Sequence, residues 1–508
     1  MGTNTGRFAA ILAMLAAPAW AQGDAVPTPR PAPDWLSDSI VARSSDIATS
    51  ALPAPISAMP LGAVELDAVG LLPFSVTGLP PDLWGQSETG TLVRLFRAVP
   101  VDGLPAMLSF TRTLALAELV PPADSSASEL FLARLDMLLA RGALEPARAL
   151  AERAGPTDPE LFRRFFDASL LTGQAERACA AMRANPDMAP AFPARIFCLA
   201  RTGDWPAAAL SLGTGTALGH IAEDDADLIA RFLDPELFEG EDPLPPDPSI
   251  TPLFYEMRAA IGERPSSTDL PLAFAHSDLS DFAGWQSQIA AAERLIRSGA
   301  IEPQEWLAIA TAHRPSASGA IWDRAGALQS FDAAMLANDA RAVGRLLPDT
   351  VAMMDEAGLT VAFAALYGEQ LMRLPLPASA EAAAHRIGLL SPAYERIALR
   401  ATPGNRTEAF LFAIARGEAA EPPAGSRDPV TAAVAQAFAG MEPPARYADQ
   451  IEGDRRGEAL LRAALVLLSD AADSDDIADA LRLFRALGLE DTARRAALQI
   501  MLLDGRAA

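Results

Sequence analysis

Ala140-Arg-Gly142-Ala-Leu-Glu-Pro-Ala147, Leu171-Thr-Gly173-Gln-Ala-Glu-Arg-Ala178 and Arg201-Thr-Gly203-Asp-Trp-Pro-Ala-Ala208 are three versions of one turn. Their glycines recur at roughly 30 residues, the period of stacked helix pairs. Each Gly ends a helix in a backbone conformation that a Cβ disfavours, and Ala147, Ala178 and Ala208, five residues on, let the following helix pack closely. An aromatic stands eleven residues before each Gly, at Phe131, Phe162 and Phe192, where it can lie between the two helices of its pair. The pattern predicts an all-α chain built as an α-solenoid of stacked antiparallel helical hairpins.

The same residues resemble the tetratricopeptide repeat. Gly203-Asp204-Trp205-Pro206-Ala207-Ala208 is similar to that family's closing turn. Gly142, Ala147, Ala154 and Pro159 follow its turn-to-helix-end spacing, as do Gly173, Ala178 and Pro190, with Asn185 at the small-residue position. The family's Gly inside the first helix of each pair is absent, and the pairs are shorter. Over about residues 129–212 the resemblance implies a superhelix of hairpins, and it carries over no ligand-binding residue.

Outward from this block the helical signal weakens but persists. Ile477, Leu481, Phe484 and Leu487 form an apolar stripe ending at Gly488, and Leu489, Ala493, Ala496 and Ile500 form another after it. Helical patterning also runs over Phe282–Arg297 before Gly299, over Ile321–Leu336, and over Asn405–Arg416 before Gly417. The acidic, Pro-rich stretch 234–252 reads as a boundary, and 417–429 and 440–457 read as exposed connections. The expected organisation is an irregular helical N-terminal region at 38–120 forming a cap, TPR-like repeats at 121–240, and a second helical-repeat region at 250–508.

Residues 1–21 read as a signal peptide: Arg7, an apolar run Phe8–Ala17 too short to span a bilayer, and Ala19-Trp20-Ala21 before Gln22. Secretion through the Sec pathway to the periplasm follows, with no integral membrane segment left after cleavage; an uncleaved anchor helix is the alternative. Residues 22–37, with Pro27, Pro29, Pro31 and Pro33, read as an extended Pro-rich linker. Export places Cys179 and Cys198 where disulfides persist. They flank the break 185–190 symmetrically, so antiparallel helices would bring them level in a structural disulfide.

Of 508 residues, half are hydrophobic and about one in five is Ala, which favours helix over sheet. There is no Lys, so all 41 basic residues of that class are Arg. A net charge of −24 opposes nucleic-acid binding. No catalytic motif is found, and no cofactor or metal is implied. His220, His276, His313 and His385 lack metal-ligand spacing. His276, with Asp278 and Asp281, forms the one polar cluster, better read as a hydrogen-bonded helix terminus than as a pocket. Gly213–Gly219 resembles a phosphate loop only superficially and reads as a loop between hairpins. Glu223-Asp224-Asp225 reads as the acidic first turn of a helix. Among exported helical superhelices, the catalytic pattern of the soluble lytic transglycosylases is missing.

The expected function is non-catalytic: a periplasmic scaffold or adaptor for a protein or peptide partner lying on a concave surface. Arg134, Arg163, Arg164, Arg195 and Arg201 are candidates for carboxylate recognition, but each reads better as an ordinary solvated or ion-paired surface charge, and none is assigned as a site. The alternatives are an envelope enzyme accessory or degenerate peptidoglycan-processing enzyme, and a chaperone for an exported complex.

Overall fold

The computed structural model of the chain describes residues 32–37, 65–125, 128–247 and 249–503. The signal peptide, most of the Pro-rich linker and residues 38–64 lie outside the described residues. Among the described residues the fold is all-helical, and its neighbouring helices pack as an α-solenoid of antiparallel hairpins. Among the described residues Leu72 and Ala117 form an isolated parallel β-bridge.

The three repeat turns join Glu129–Ala140 to Leu144–Ala154, Pro159–Leu171 to Ala175–Ala184, and Phe192–Arg201 to Trp205–Ala217. Each is closed by the same bond from the residue after the glycine back to the fifth residue before it: Ala143 to Leu138 at 2.8 Å, Gln174 to Ser169 at 2.7 Å, and Asp204 to Leu199 at 2.9 Å. This satisfies carbonyls the helix end leaves orphaned, and it needs a left-handed residue between. Gly142, Gly173 and Gly203 supply it, with φ of 70°, 70° and 83°. Ala147, Ala178 and Ala208 are buried behind the turns, as are Phe131 and Phe162, while Phe192 is half-buried against His220. At Gly142 a Cβ would also lie 2.9 Å from Leu295 and 3.2 Å from Leu272, whereas at Gly173 it would meet nothing. Gly173→Ala is therefore expected to cost about 1–2 kcal/mol of backbone strain alone, and Gly142→Ala clearly more. Urea midpoints that fail to separate the two variants would contradict this contact.

Cys179 and Cys198 form the expected disulfide, with Cα atoms 5.2 Å apart, pinning Ala175–Ala184 to Phe192–Arg201. Two readings need correction. Gly213–Gly219 is not a loop: helix Trp205–Ala217 runs through Gly213 and Gly215. Gly215 faces Phe192 and Ile221, which a Cβ would approach to 2.6 and 2.8 Å, so the glycine permits close packing rather than a break. The linker reading of 22–37 also fails at its end, where Ala32–Trp35 is a helical turn and Trp35, Leu36 and Ser37 are buried. A Trp-Leu pair contributes more by burial than a solvated extended chain can recover.

Ile250, Leu253, Tyr255, Met257 and Phe274 share one apolar core with the first repeats and with residues 389–500, and a second core covers 272–390. The segment 65–120 contains the helices Thr89–Arg97 and Pro105–Leu116 and sits between the first repeats and the C-terminal hairpins. Phe110 packs edge-on against Phe484 at 4.9 Å, the Gly457 amide donates to the Leu83 carbonyl at 2.8 Å, and the Gln86 amide donates to the Asp454 carbonyl at 3.0 Å.

Candidate binding cleft

Of the five arginines considered for partner recognition, Arg134, Arg164 and Arg195 are hydrogen-bonded within the fold. Arg134 is fully buried; its guanidinium donates to the carbonyls of Ala115 (2.9 Å), Asp67 (3.0 Å), Val69 (2.8 Å) and Ala117 (3.0 Å). Burial lowers its pKa to about 10, which leaves it charged at neutral pH. Arg164, also buried, grips Asp136 with two bonds of 2.5 and 3.0 Å. Arg195 donates to the Pro186 carbonyl at 2.8 Å, while Arg163 and Arg201 lie 3.7 and 3.9 Å from Glu160 and Glu176. Arg141, in the first repeat turn, donates to the carbonyls of Leu108 (2.8 Å) and Ser298 (2.7 Å), so it joins three distant segments. A planar fork with several donors suits this use, and an ammonium does not.

The turns nevertheless shape a surface. A cleft of about 900 Å³ opens where the Gly142 and Gly173 turns meet the segments 256–282 and 300–305. Its floor is apolar, with Leu71, Leu72, Leu116, Leu170, Leu171 and Ile301, and Phe282 stands 93 % exposed at its lip. Its ionisable lining is Glu145, Glu256, Glu302, Glu305, Arg112, Arg264 and His276. Both arginines point to backbone, Arg112 to the Gly299 carbonyl at 2.6 Å and Arg264 to the Ser277 carbonyl at 2.8 Å. Four carboxylates against two guanidinium groups leave the lining negative.

Burial pushes Glu305 above the usual carboxylate range, and the charges of Glu302 and Glu145 push the same way. Burial also raises Glu256, against the Ser277 hydroxyl that donates to it at 3.0 Å and the charges of Arg264 and Arg201. A cation would relieve the mutual repulsion of Glu305, Glu302 and Glu145.

His276 lies on the 3₁₀ stretch Leu272–Leu279, where its Nε2 donates to the Gly142 carbonyl at 2.6 Å. Burial lowers its pKa, despite that bond and Glu145. Among the described residues His276, Asp278 and Asp281 do not bond to one another: His276 lines the cleft, contrary to the helix-terminus reading, while Asp278 accepts from the Ser267 hydroxyl with Arg264 3.8 Å away. His220 lies against Phe192, His313 against Trp285, and His385 3.1 Å from Glu408. Among the described residues these histidines do not converge, and no group of three His, Cys, Asp or Glu side chains is placed to hold a metal ion. Glu223, Asp224 and Asp225 occupy the first turn of Glu223–Leu233, as their spacing indicates.

Sequence reasoning missed Glu256, Glu302, Glu305, Arg112 and Arg264. The one local signal was Glu302-Pro303, a helix start that places a carboxylate beside the preceding turn. No helix among the described residues is long and apolar enough to cross a membrane. No family model, no curated protein and no solved structure matches this chain.

Proposed function

We propose that the chain is an exported, periplasmic scaffold of tetratricopeptide-like hairpins that holds protein or peptide partners and performs no chemistry of its own. The observation that carries this reading is the cleft, whose apolar floor and carboxylate rim are complementary to an amphipathic segment bearing basic side chains. The cleft lining carries four carboxylates against two guanidinium groups, so its polarity is negative although all the Lys and Arg positions of the chain are Arg. A net charge of −24 favours the same class of partner by steering basic segments toward the surface. The disulfide between Cys179 and Cys198 suits an oxidising compartment.

The test uses two amphipathic helical peptides of about 15 residues, one with Leu opposite Arg and one with Leu opposite Glu. The Arg peptide is expected to bind, more weakly as salt rises, and the Glu peptide is not. The double variant Glu302→Gln/Glu305→Gln should weaken the Arg peptide about fivefold, in line with two partly exposed charge pairs. Equal binding of both peptides, or binding of neither, rejects the cleft as a partner site.

A further inference from the structure

The helix Pro105–Leu116, the repeat turn at Arg141 and the turn at Gly299 border a second cavity, of about 290 Å³. Arg112, Arg141 and Arg297 line it, and Glu302 is the carboxylate of its wall. Among the described residues none of the three arginines forms an ion pair. Arg112 donates to the Gly299 carbonyl at 2.6 Å and Arg297 to the Ala357 carbonyl at 3.2 Å. Arg141 is 3 % exposed, and its Nε has no partner although its other nitrogens serve the Leu108 and Ser298 carbonyls.

A buried positive charge without a carboxylate is costly. Burial lowers the pKa of Arg141 to about 10, and the charge of Arg112 pushes it the same way, so these two guanidinium groups repel. With 65 Asp and Glu against 41 Arg, the chain has carboxylates to spare, and elsewhere it uses them on buried arginines, as in the pairs Arg164–Asp136 and Arg324–Glu293. The rest of this wall is apolar, with Leu108, Ile296, Val361 and Ala362. Arg112, Ile301 and Glu302 belong to the lining of the carboxylate cleft as well, so the two spaces adjoin. A long negative cleft thus leads to a positive cavity about a third of its volume.

We propose that this cavity receives the free C-terminal carboxylate of the basic partner segment that lies in the cleft, with an aliphatic last side chain against Leu108, Ile296 and Val361. The order of charges selects that occupant. Basic side chains suit the cleft, and the last residue of a protein chain carries a carboxylate and an aliphatic group on the same Cα. A guanidinium pairs with a carboxylate through a planar fork, which an isolated point charge does not match. A helical segment would add its own negative C-terminal carbonyls beside the arginines. The assignment rests on the cleft being a partner site, and it gives the partner a direction and an end.

Two peptides of about 15 residues, each with Leu opposite Arg and each ending in Leu-Val, are titrated against the full chain, one as the free acid and one as the amide. The acid should bind about tenfold more tightly, the effect of one charge-assisted contact. General effects favour the amide instead: it is the more positive peptide toward a chain of charge −24, and it lacks a terminal charge that opposes the helix dipole. A preference for the acid therefore reports a specific site. The ratio should fall to about one in Arg112→Gln/Arg297→Gln; if that variant does not fold, Arg297→Gln alone, at an exposed side chain, should lower it about threefold. Equal binding of acid and amide overturns the proposal and leaves the cleft standing, whereas binding of neither removes the cleft and this assignment together. A preference that persists undiminished in the folded variant also overturns it. So does an amidated peptide ending in phosphoserine that binds more tightly than the acid, because the arginines then serve a phosphate.

Discussion

Arg134→Met is expected to remove about 3–5 kcal/mol of stability, enough to unfold a marginal chain. The side chain is fully buried and is the donor for four carbonyls on two segments, Asp67 and Val69 on one and Ala115 and Ala117 on the other. Methionine fills the volume but leaves those acceptors without a partner, and each buried unsatisfied group costs about 1–3 kcal/mol before relaxation. It also strips the opposite charge from Asp67, whose pKa burial already raises. Asp67 keeps its bonds from the Phe131 amide and the Ser125 hydroxyl, both 2.7 Å, so loss of the arginine alone is what the variant reports.

Arg134→Lys is expected to recover less than half of the loss. An ammonium has three donors on one atom and cannot span acceptors arranged around a plane. Denaturant midpoints of the two variants provide the check, and a loss under about 1 kcal/mol for methionine would mean the carbonyls find water instead. The same logic applies to two further arginines. Arg141 and Arg485 are also buried and also bridge carbonyls of segments far apart in sequence, Arg485 with its guanidinium 4.3 Å from the Phe438 ring centre.

Removing the disulfide is the second large effect. Cys179→Ala/Cys198→Ala should destabilise the protein by about 3 kcal/mol, since the bridge closes about 20 residues in the unfolded chain. Both sulfurs are buried, so the alanines also leave small voids between the two helices they joined. A reductant added to the folded protein should act slowly, at the rate of local opening, and one added to the unfolded protein should act at once. Unfolding curves that coincide with and without the bridge would show that the 3₁₀ turn Pro186–Met188 and the surrounding helices constrain this region unaided.

Several features were legible because their information lies within one turn of chain. The glycines at 142, 173 and 203, the alanines behind them and the acidic first turn at 223–225 all depend on neighbours a few residues away. The cysteine pairing needed a longer window, two helices and the break between them, 19 residues in all. Gly213 and Gly215 misled for the opposite reason: a glycine that ends a helix and one that admits a neighbouring side chain look alike until Phe192 and Ile221 are in place. Trp35 misled as the tail of a proline run, because its burial depends on Phe274, more than two hundred residues on.

From sequence alone came the helical class, the hairpin turns and the disulfide, since hydrophobic period and turn chemistry act over short windows. The tertiary structure decided which way each charge faces. Arg134 and Arg164 are arginines in apolar helices whatever lies opposite; only packing placed backbone carbonyls and Asp136 there and so removed them from any partner. Only packing drew Glu145, Glu302 and Glu305 around one cleft, and Asp167 to Ser37 across 130 residues of chain. Electrostatic and hydrogen-bonding roles depend on distance in space, and residue order does not specify that distance beyond a turn or two.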